Sequence, residues 1–125
     1  MARVFLALGG VLGFIGVALG AFGAHALRSR LAPDLLAIYQ TGVQYHLLHA
    51  LALLGVAAWL ARGGSGAAVL AGWLFVAGVV VFSGSLYALS LSGVRALGAV
   101  TPIGGLAFLG GWAALAWEAW RATSR

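Results

Sequence analysis

Four long apolar stretches fill almost the whole chain, and the polar connections between them are short. They run from about residue 4 to 27, 38 to 60, 67 to 91 and 97 to 120. Each is close to or above the roughly 20 residues needed to cross a hydrocarbon core about 30 Å thick. In lipid a backbone N–H or C=O without a partner costs several kcal/mol, so each stretch has to be helical. Composition agrees, with 63% of residues hydrophobic and 7% charged, against roughly 25% charged in a soluble domain. A soluble fold of this size leaves too much surface exposed to hide that much apolar side chain. The expected fold is therefore all-α: a single integral membrane bundle of four transmembrane helices with short connections, residues 1–125.

The connections fix the topology. Arg28, Ser29, Arg30, Pro33 and Asp34 separate the first two stretches, and Leu31, Leu35, Leu36 and Ile38 add apolar content. A short interfacial helix starting at Pro33 is expected there. Ala61-Arg62-Gly63-Gly64-Ser65-Gly66 and Ser92-Gly93-Val94-Arg95 read as tight turns. Such short links make neighbouring helices antiparallel. Thr101-Pro102 is a candidate cap for the fourth helix, the alternative being a kinked helix from Leu97. Arg3, the first apolar run and Ala24-His25-Ala26 imitate a secretory leader. The run exceeds the roughly 7–15 residues of a leader core, so it is read as a span.

The formal charge is +5, carried by Arg3, Arg28, Arg30, Arg62, Arg95, Arg121 and Arg125. They are scattered and form no basic run, which argues against nucleic acid and for anchors flanking a membrane. Termini on the cytoplasmic side would place four arginines inside and three outside, a lean in that direction. The chain has no cysteine, which excludes disulfides and thiolate chemistry.

Gly9, Gly13, Gly16, Gly20 and Gly23 recur at steps of four and three and form one stripe on the first helix. Small residues let helix backbones approach closely in lipid, so the stripe is expected to face another helix, most simply the second or fourth. Gly104, Ala107 and Gly111 make a shorter stripe on the fourth helix. Trp59, Trp112, Trp117 and Trp120 fall toward helix ends, as interfacial anchors do. Glu118, three residues before Arg121, reads as half of a surface ion pair.

The richest polar segment is Tyr39 to His49. Thr41, Gln44, Tyr45 and His49 share one broad helical face, with His46 toward its edge. Polar groups at membrane depth are costly unless paired, so this face should look into the bundle. Ser83, Tyr87 and Ser90 form a polar face on the third helix. The two faces are expected to meet, with Tyr45 and His49 near Ser83 and Tyr87. Three readings of the histidines compete: a hydrogen-bonded core that fixes register, a ligand or proton-relay site, and haem or metal ligation by His25, His46 or His49. His-x-x-His lacks an accompanying carboxylate or thiolate, so no metal ligands and no cofactor are assigned. No phosphate-binding loop, nucleophile elbow, His-Glu-x-x-His or paired carboxylates occur, and no catalytic residue is assigned.

Four ordered motifs carry a family resemblance: Gly20-Ala21-Phe22-Gly23-Ala24-His25, Tyr39-Gln40-Thr41-Gly42 through Tyr45 and His49, Phe82-Ser83-Gly84-Ser85-Leu86-Tyr87, and Thr101-Pro102-Ile103-Gly104-Gly105. Together they resemble the YgdD-like membrane family, domain of unknown function 423, which is related to the eukaryotic transmembrane protein 256. The resemblance implies a small multi-pass protein of the bacterial inner membrane and supplies no mechanism. The function expected from the residues is a non-enzymatic accessory or assembly partner acting through helix contacts. Its surroundings would be the lipid bilayer and a membrane-protein partner or a second copy. The alternatives are a small-molecule transporter or ligand-binding protein using the polar interior, and a haem- or quinone-binding component.

Overall fold

The computed structural model describes residues 1–124; Arg125 lies outside the described residues. Four helices are long and apolar enough to span a membrane: α1 Ala2–Leu27, α2 Pro33–Ala61, α3 Gly66–Ser92 and α4 Arg95–Thr123. Glycine and β-branched residues would weaken such helices in water. In lipid the backbone has no other hydrogen-bond partner, so the helix holds through them.

The observed ends differ from the sequence reading in instructive ways. No separate interfacial helix forms at Pro33, which occupies the first turn of α2 itself. Its fixed φ suits a helix start, and no Gly or Pro interrupts the chain between there and Ile38. Thr101 does not cap α4. A 3-10 turn, Arg95–Ala99, leads into the α-helical part Thr101–Thr123. The Thr101 hydroxyl instead donates to Ser85 Oγ at 2.6 Å, because the Ser85 proton goes to the Phe82 carbonyl at 2.8 Å. Two glycines end their helices in the left-handed region, Gly63 at φ 96° and Gly93 at φ 75°. The Gly93 N–H returns to the Leu89 carbonyl at 2.7 Å, which closes α3.

α2 and α3 are central and α1 and α4 are outer. The most apolar windows of α2 and α3 are 33% and 39% buried, against 17% for each outer helix. α1 lies along α2, and α4 lies along α3. From the end that holds residue 1 to mid-bundle, the core gathers Phe5, Leu53, Val56, Ala57, Ala71, Phe75, Val79 and Phe108. At the opposite end Arg95 pairs with Asp34 at 2.5 Å, joining the approach to α4 to the first turn of α2. Both of these side chains are well exposed, so the bond adds little stability.

The glycine stripe of α1 packs on α2. A Cβ at Gly9 would stand 2.7 Å from Leu54 Cδ2 and 3.1 Å from the Ala50 carbonyl oxygen. One at Gly16 would stand 2.6 Å from Leu47 Cδ2, and one at Gly20 3.3 Å from Val43 Cγ1. Gly23 makes room for the Tyr39 ring. Gly13 departs from the expectation, since no neighbouring atom lies within 4 Å of a Cβ built there. On α4, Gly104 meets the Phe82 backbone and Gly111 meets the Phe75 ring.

Two wide, π-helical turns interrupt the regular helices, Gly23–Leu27 in α1 and Val79–Ser83 in α3. Such turns shift the side chains that follow them around the helix axis. Both lie against α2.

The packing gives a discriminating pair of substitutions. Gly16→Leu is expected to lower unfolding stability in detergent by about 1–3 kcal/mol through overpacking. Gly13→Leu should stay within about 0.5 kcal/mol of the parent, as at an open surface position. Equal losses in a thermal or denaturant titration would show that the stripe contacts α2 uniformly.

Candidate functional site

The polar side chains of α2 do not act as one face. His46 and His49 are buried, as are Tyr39 and Gly42, whereas Thr41, Gln44 and Tyr45 are exposed. The expectation placed His46 at the edge of the constellation and Gln44 inside, and the structure reverses both. The reason is the side from which α2 is covered. α1 and α3 flank it along the line of Tyr39, Gly42, His46, His49 and Leu53.

His46 bridges three helices. Its Nε2 lies 2.7 Å from the Leu12 carbonyl oxygen on α1, and a carbonyl can only accept, so Nε2 carries the proton. Nδ1 then accepts from the Tyr87 hydroxyl on α3 at 2.8 Å. Gly16 lets the ring in: a Cβ there would be 3.2 Å from His46 Cδ2. Tyr87 in turn fits over Gly42, where a Cβ would lie 2.9 Å from Tyr87 Cε1.

His49 takes the opposite tautomer. The indole N–H of Trp112 on α4 is only a donor, and it reaches His49 Nε2 at 3.0 Å. The proton is therefore on Nδ1, which donates to the Tyr45 carbonyl at 2.8 Å. The imidazole stacks on Phe108 with ring centroids 3.6 Å apart and meets Phe75 at 5.2 Å.

The remaining expected residues are dispersed. Ser83 donates to the Gly42 carbonyl at 2.7 Å, and Ser90 bonds within its own helix to the Tyr87 carbonyl. The polar face of α3 thus meets α2, but through Gly42 and His46 rather than Tyr45 and His49. Thr41 bonds the Ala37 carbonyl of its own helix. His25 is exposed and donates from Nδ1 to the Ala21 carbonyl, far from joining His46 and His49. Among the described residues, no group of three or more His, Cys, Asp or Glu could hold a metal ion.

Sequence reasoning missed three participants. Tyr39 donates to the Leu19 carbonyl at 2.5 Å and ties α2 to α1. Trp112, read as an interfacial anchor, sits at mid-bundle as the partner of His49. Glu118 is not a surface ion pair but is 5% exposed. Its carboxylate accepts from Trp59 Nε1 at 3.0 Å, from the Ser65 backbone N–H at 2.6 Å, and from the Ser65 hydroxyl. Ser65 precedes the first turn of α3 and makes no capping bond of its own. Glu118 therefore caps α3 from a distant part of the chain, with its negative charge at the helix's positive end. The only local signal was a serine just before an apolar run in a glycine-rich turn.

Beside His49 a groove of about 530 Å³ runs between α2 and α4, over Tyr45, Leu48, Phe82, Pro102, Phe108 and Trp112. Its walls are apolar and aromatic, and His49 and Trp112 bond each other at its inner edge.

Depth alone favours His49 as the more damaging loss, but the bonding pattern favours His46. His46→Ala is expected to cost about 2–5 kcal/mol, since it opens a cavity, severs links to two other helices and leaves the Tyr87 hydroxyl unpaired. His49→Ala should cost less, because its imidazole bonds only one other helix, through the Trp112 indole. Thermal unfolding of both variants in the same detergent checks the order, and a larger loss at His49 would reverse it.

Comparison with known proteins places this architecture. Residues 19–105 match the family described as "Protein of unknown function (DUF423)". The chain is 49% identical over 112 residues to the UPF0382 membrane protein YwdK of Bacillus subtilis, covering 88% of this chain and 90% of that protein. It is 44% identical over 112 residues to the UPF0382 inner membrane protein YgdD of Escherichia coli, covering 90% and 86%. It is 44% identical over 114 residues to a UPF0382 membrane protein of Staphylococcus epidermidis, covering 90% and 92%. No solved structure matches the chain. With matching motifs, identity and helical architecture, the chain belongs to the DUF423 family of membrane proteins.

Proposed function

We propose that this protein is a non-enzymatic accessory or assembly component of the cell membrane, acting through the lateral surfaces of its helices. The observation that carries this reading is the closed state of its polar interior. Among the described residues, no buried side-chain nitrogen or oxygen lacks a hydrogen-bond partner. Both ring nitrogens of His46 and of His49 are engaged, three of the four in bonds to other helices and His49 Nδ1 to its own. A transport path needs interior polar groups that can exchange partners with a substrate. Here those groups hold the scaffold together, and what the protein presents outward is helix surface.

A second reading has one observation behind it. The groove beside His49 and Trp112 has a volume within the roughly 300–1,000 Å³ of small-molecule sites. It would suit a lipid-soluble ligand with a flat ring, such as a quinone, stacked along Phe82, Phe108 and Trp112. Native mass spectrometry on protein released in its own lipid separates the two. A second polypeptide or a second copy at defined stoichiometry is expected. A bare single chain carrying an added small mass would overturn the assembly reading in favour of the groove.

We also infer that the end carrying Arg3, Arg62 and Arg121 faces the cytoplasm, following the sequence count of four arginines, with Arg125, against Arg28, Arg30 and Arg95. Because the chain lacks cysteine, single thiols report on orientation cleanly. Ser29→Cys is expected to react with a membrane-impermeant maleimide added outside intact cells, and Gly63→Cys is not. The opposite pattern would invert the topology, and labelling of both would indicate dual insertion.

A further inference from the structure

We propose that two copies of this chain pair through the lipid-facing side of α2, with Gln44 bonded to Gln44 of the partner subunit across a two-fold axis. This rests on the assembly reading above and names its partner and its surface.

The argument starts from a face that the bundle leaves open. Ala37, Gln40, Gln44, Leu48, Leu51 and Gly55 follow at steps of three and four and are all exposed. They form one stripe along α2 that stays exposed in the bundle, flanked by α1 beside Gln40 and Gln44 and by α4 beside Leu48. Two of its members are carboxamides. The side-chain hydrogen bonds of α2 run through Asp34, Tyr39, Thr41, His46, His49 and Trp59, not through Gln40 or Gln44.

Depth makes this unpaired state costly. α2 has 29 residues, Pro33–Ala61, and arginines mark both ends of the bundle. At 1.5 Å per residue, Gln44 lies about 4.5 Å from the middle of the helix and Gln40 about 10 Å from it. Both distances are inside the roughly 15 Å half-thickness of the hydrocarbon core. Acyl chains offer neither donor nor acceptor, and Gln44, unlike Gln40, is too far from either interface for the short side chain of glutamine to reach water.

The chemistry of the group identifies its partner. A carboxamide has two donors and an acceptor, so it is complementary to itself. A carboxylate or an ammonium in the same place would be repelled by its own copy. A two-fold axis along the membrane normal brings each residue of the stripe opposite itself at equal depth, which is what self-complementary groups require. The surroundings leave room for close approach. Gly55 has no neighbouring atom within 4 Å of a Cβ built there. A shallow cavity of about 180 Å³ beside Gln40 and Gln44 is walled by Gly20, Gly23 and Ala24 of α1. Small residues around a polar pair are the usual means by which membrane helices associate.

The absence of cysteine gives a direct test in native membranes. Gln44→Cys and Gln40→Cys each introduce one thiol and leave the other glutamine in place. With a lipid-soluble oxidant, Gln40→Cys, which keeps Gln44 and lies one turn along the same stripe, should form a disulfide-linked species of twice the chain mass, since a bridge requires close, equal-depth positions. Phe14→Cys, on the outer face of α1 at 79% exposure, should remain single. In the cysteine-free background, Gln44→Leu should weaken dimerisation in lipid roughly tenfold, the change expected from losing a pair of interhelical bonds. Gln44→Asn should restore much of it, and unchanged circular dichroism and thermal unfolding would show that Gln44→Leu still folds. No more dimer from position 40 than from position 14 overturns the proposal, as does dimerisation undiminished by Gln44→Leu. If native mass spectrometry then finds a different polypeptide bound, self-pairing fails while the assembly reading stands. If it finds a bare single chain, both fail.

Discussion

His46 and His49, one turn apart on α2, connect all four helices, and the rest of the bundle is arranged so that they can. His46 reaches α1 through the Leu12 carbonyl and α3 through Tyr87, while His49 receives the Trp112 indole from α4. In water such bonds would compete with solvent and add little. In a bilayer the alternative is an unpaired nitrogen in hydrocarbon, so the choice of tautomer and partner becomes a constraint on register.

The glycines follow from this constraint. A histidine ring can reach the backbone of a neighbouring helix only where the side chain opposite is absent, as at Gly16. Tyr39 fits at Gly23 and Tyr87 at Gly42 for the same reason. Small and large residues therefore interlock across helix pairs: each ring lies over a glycine on the facing helix. Gly78 beneath Phe108 and Gly72 beneath Phe5 extend the pattern into the apolar core. With no hydrophobic force between helices in lipid, this close dispersion contact and the hydrogen bonds it allows supply the association.

At the end of the bundle that holds residue 1, Glu118 does for the α2–α3 turn what the histidines do at mid-depth. A single carboxylate satisfies the Trp59 indole, the Ser65 amide and the Ser65 hydroxyl together. The outer surface contrasts with this closed interior. α1 and α4 present apolar side chains suited to lipid, whereas the open stripe of α2 carries two carboxamides that lipid cannot satisfy. The pairing proposed above would give Gln44 a partner on that face.

Apolar run length and the chemistry of the bilayer were enough to establish from sequence that the chain is a four-helix membrane bundle, because a backbone in hydrocarbon has no alternative to the helix. The same reasoning found the glycine stripe, whose spacing is a property of the helix alone. Spacing could not say which side of α2 its neighbours occupy. A polar stripe looks the same in sequence whether it faces the interior or lipid, so Gln44 was placed inside and His46 at the edge. The wide turn at Val79–Ser83 shifts the residues after it around α3 by an amount that no regular period anticipates. The partners of His49 and Glu118 lie 63 and 53 residues away in the chain, at Trp112 and Ser65. Only helix packing brings such distant groups within bonding reach, so these pairings were decided by the tertiary structure.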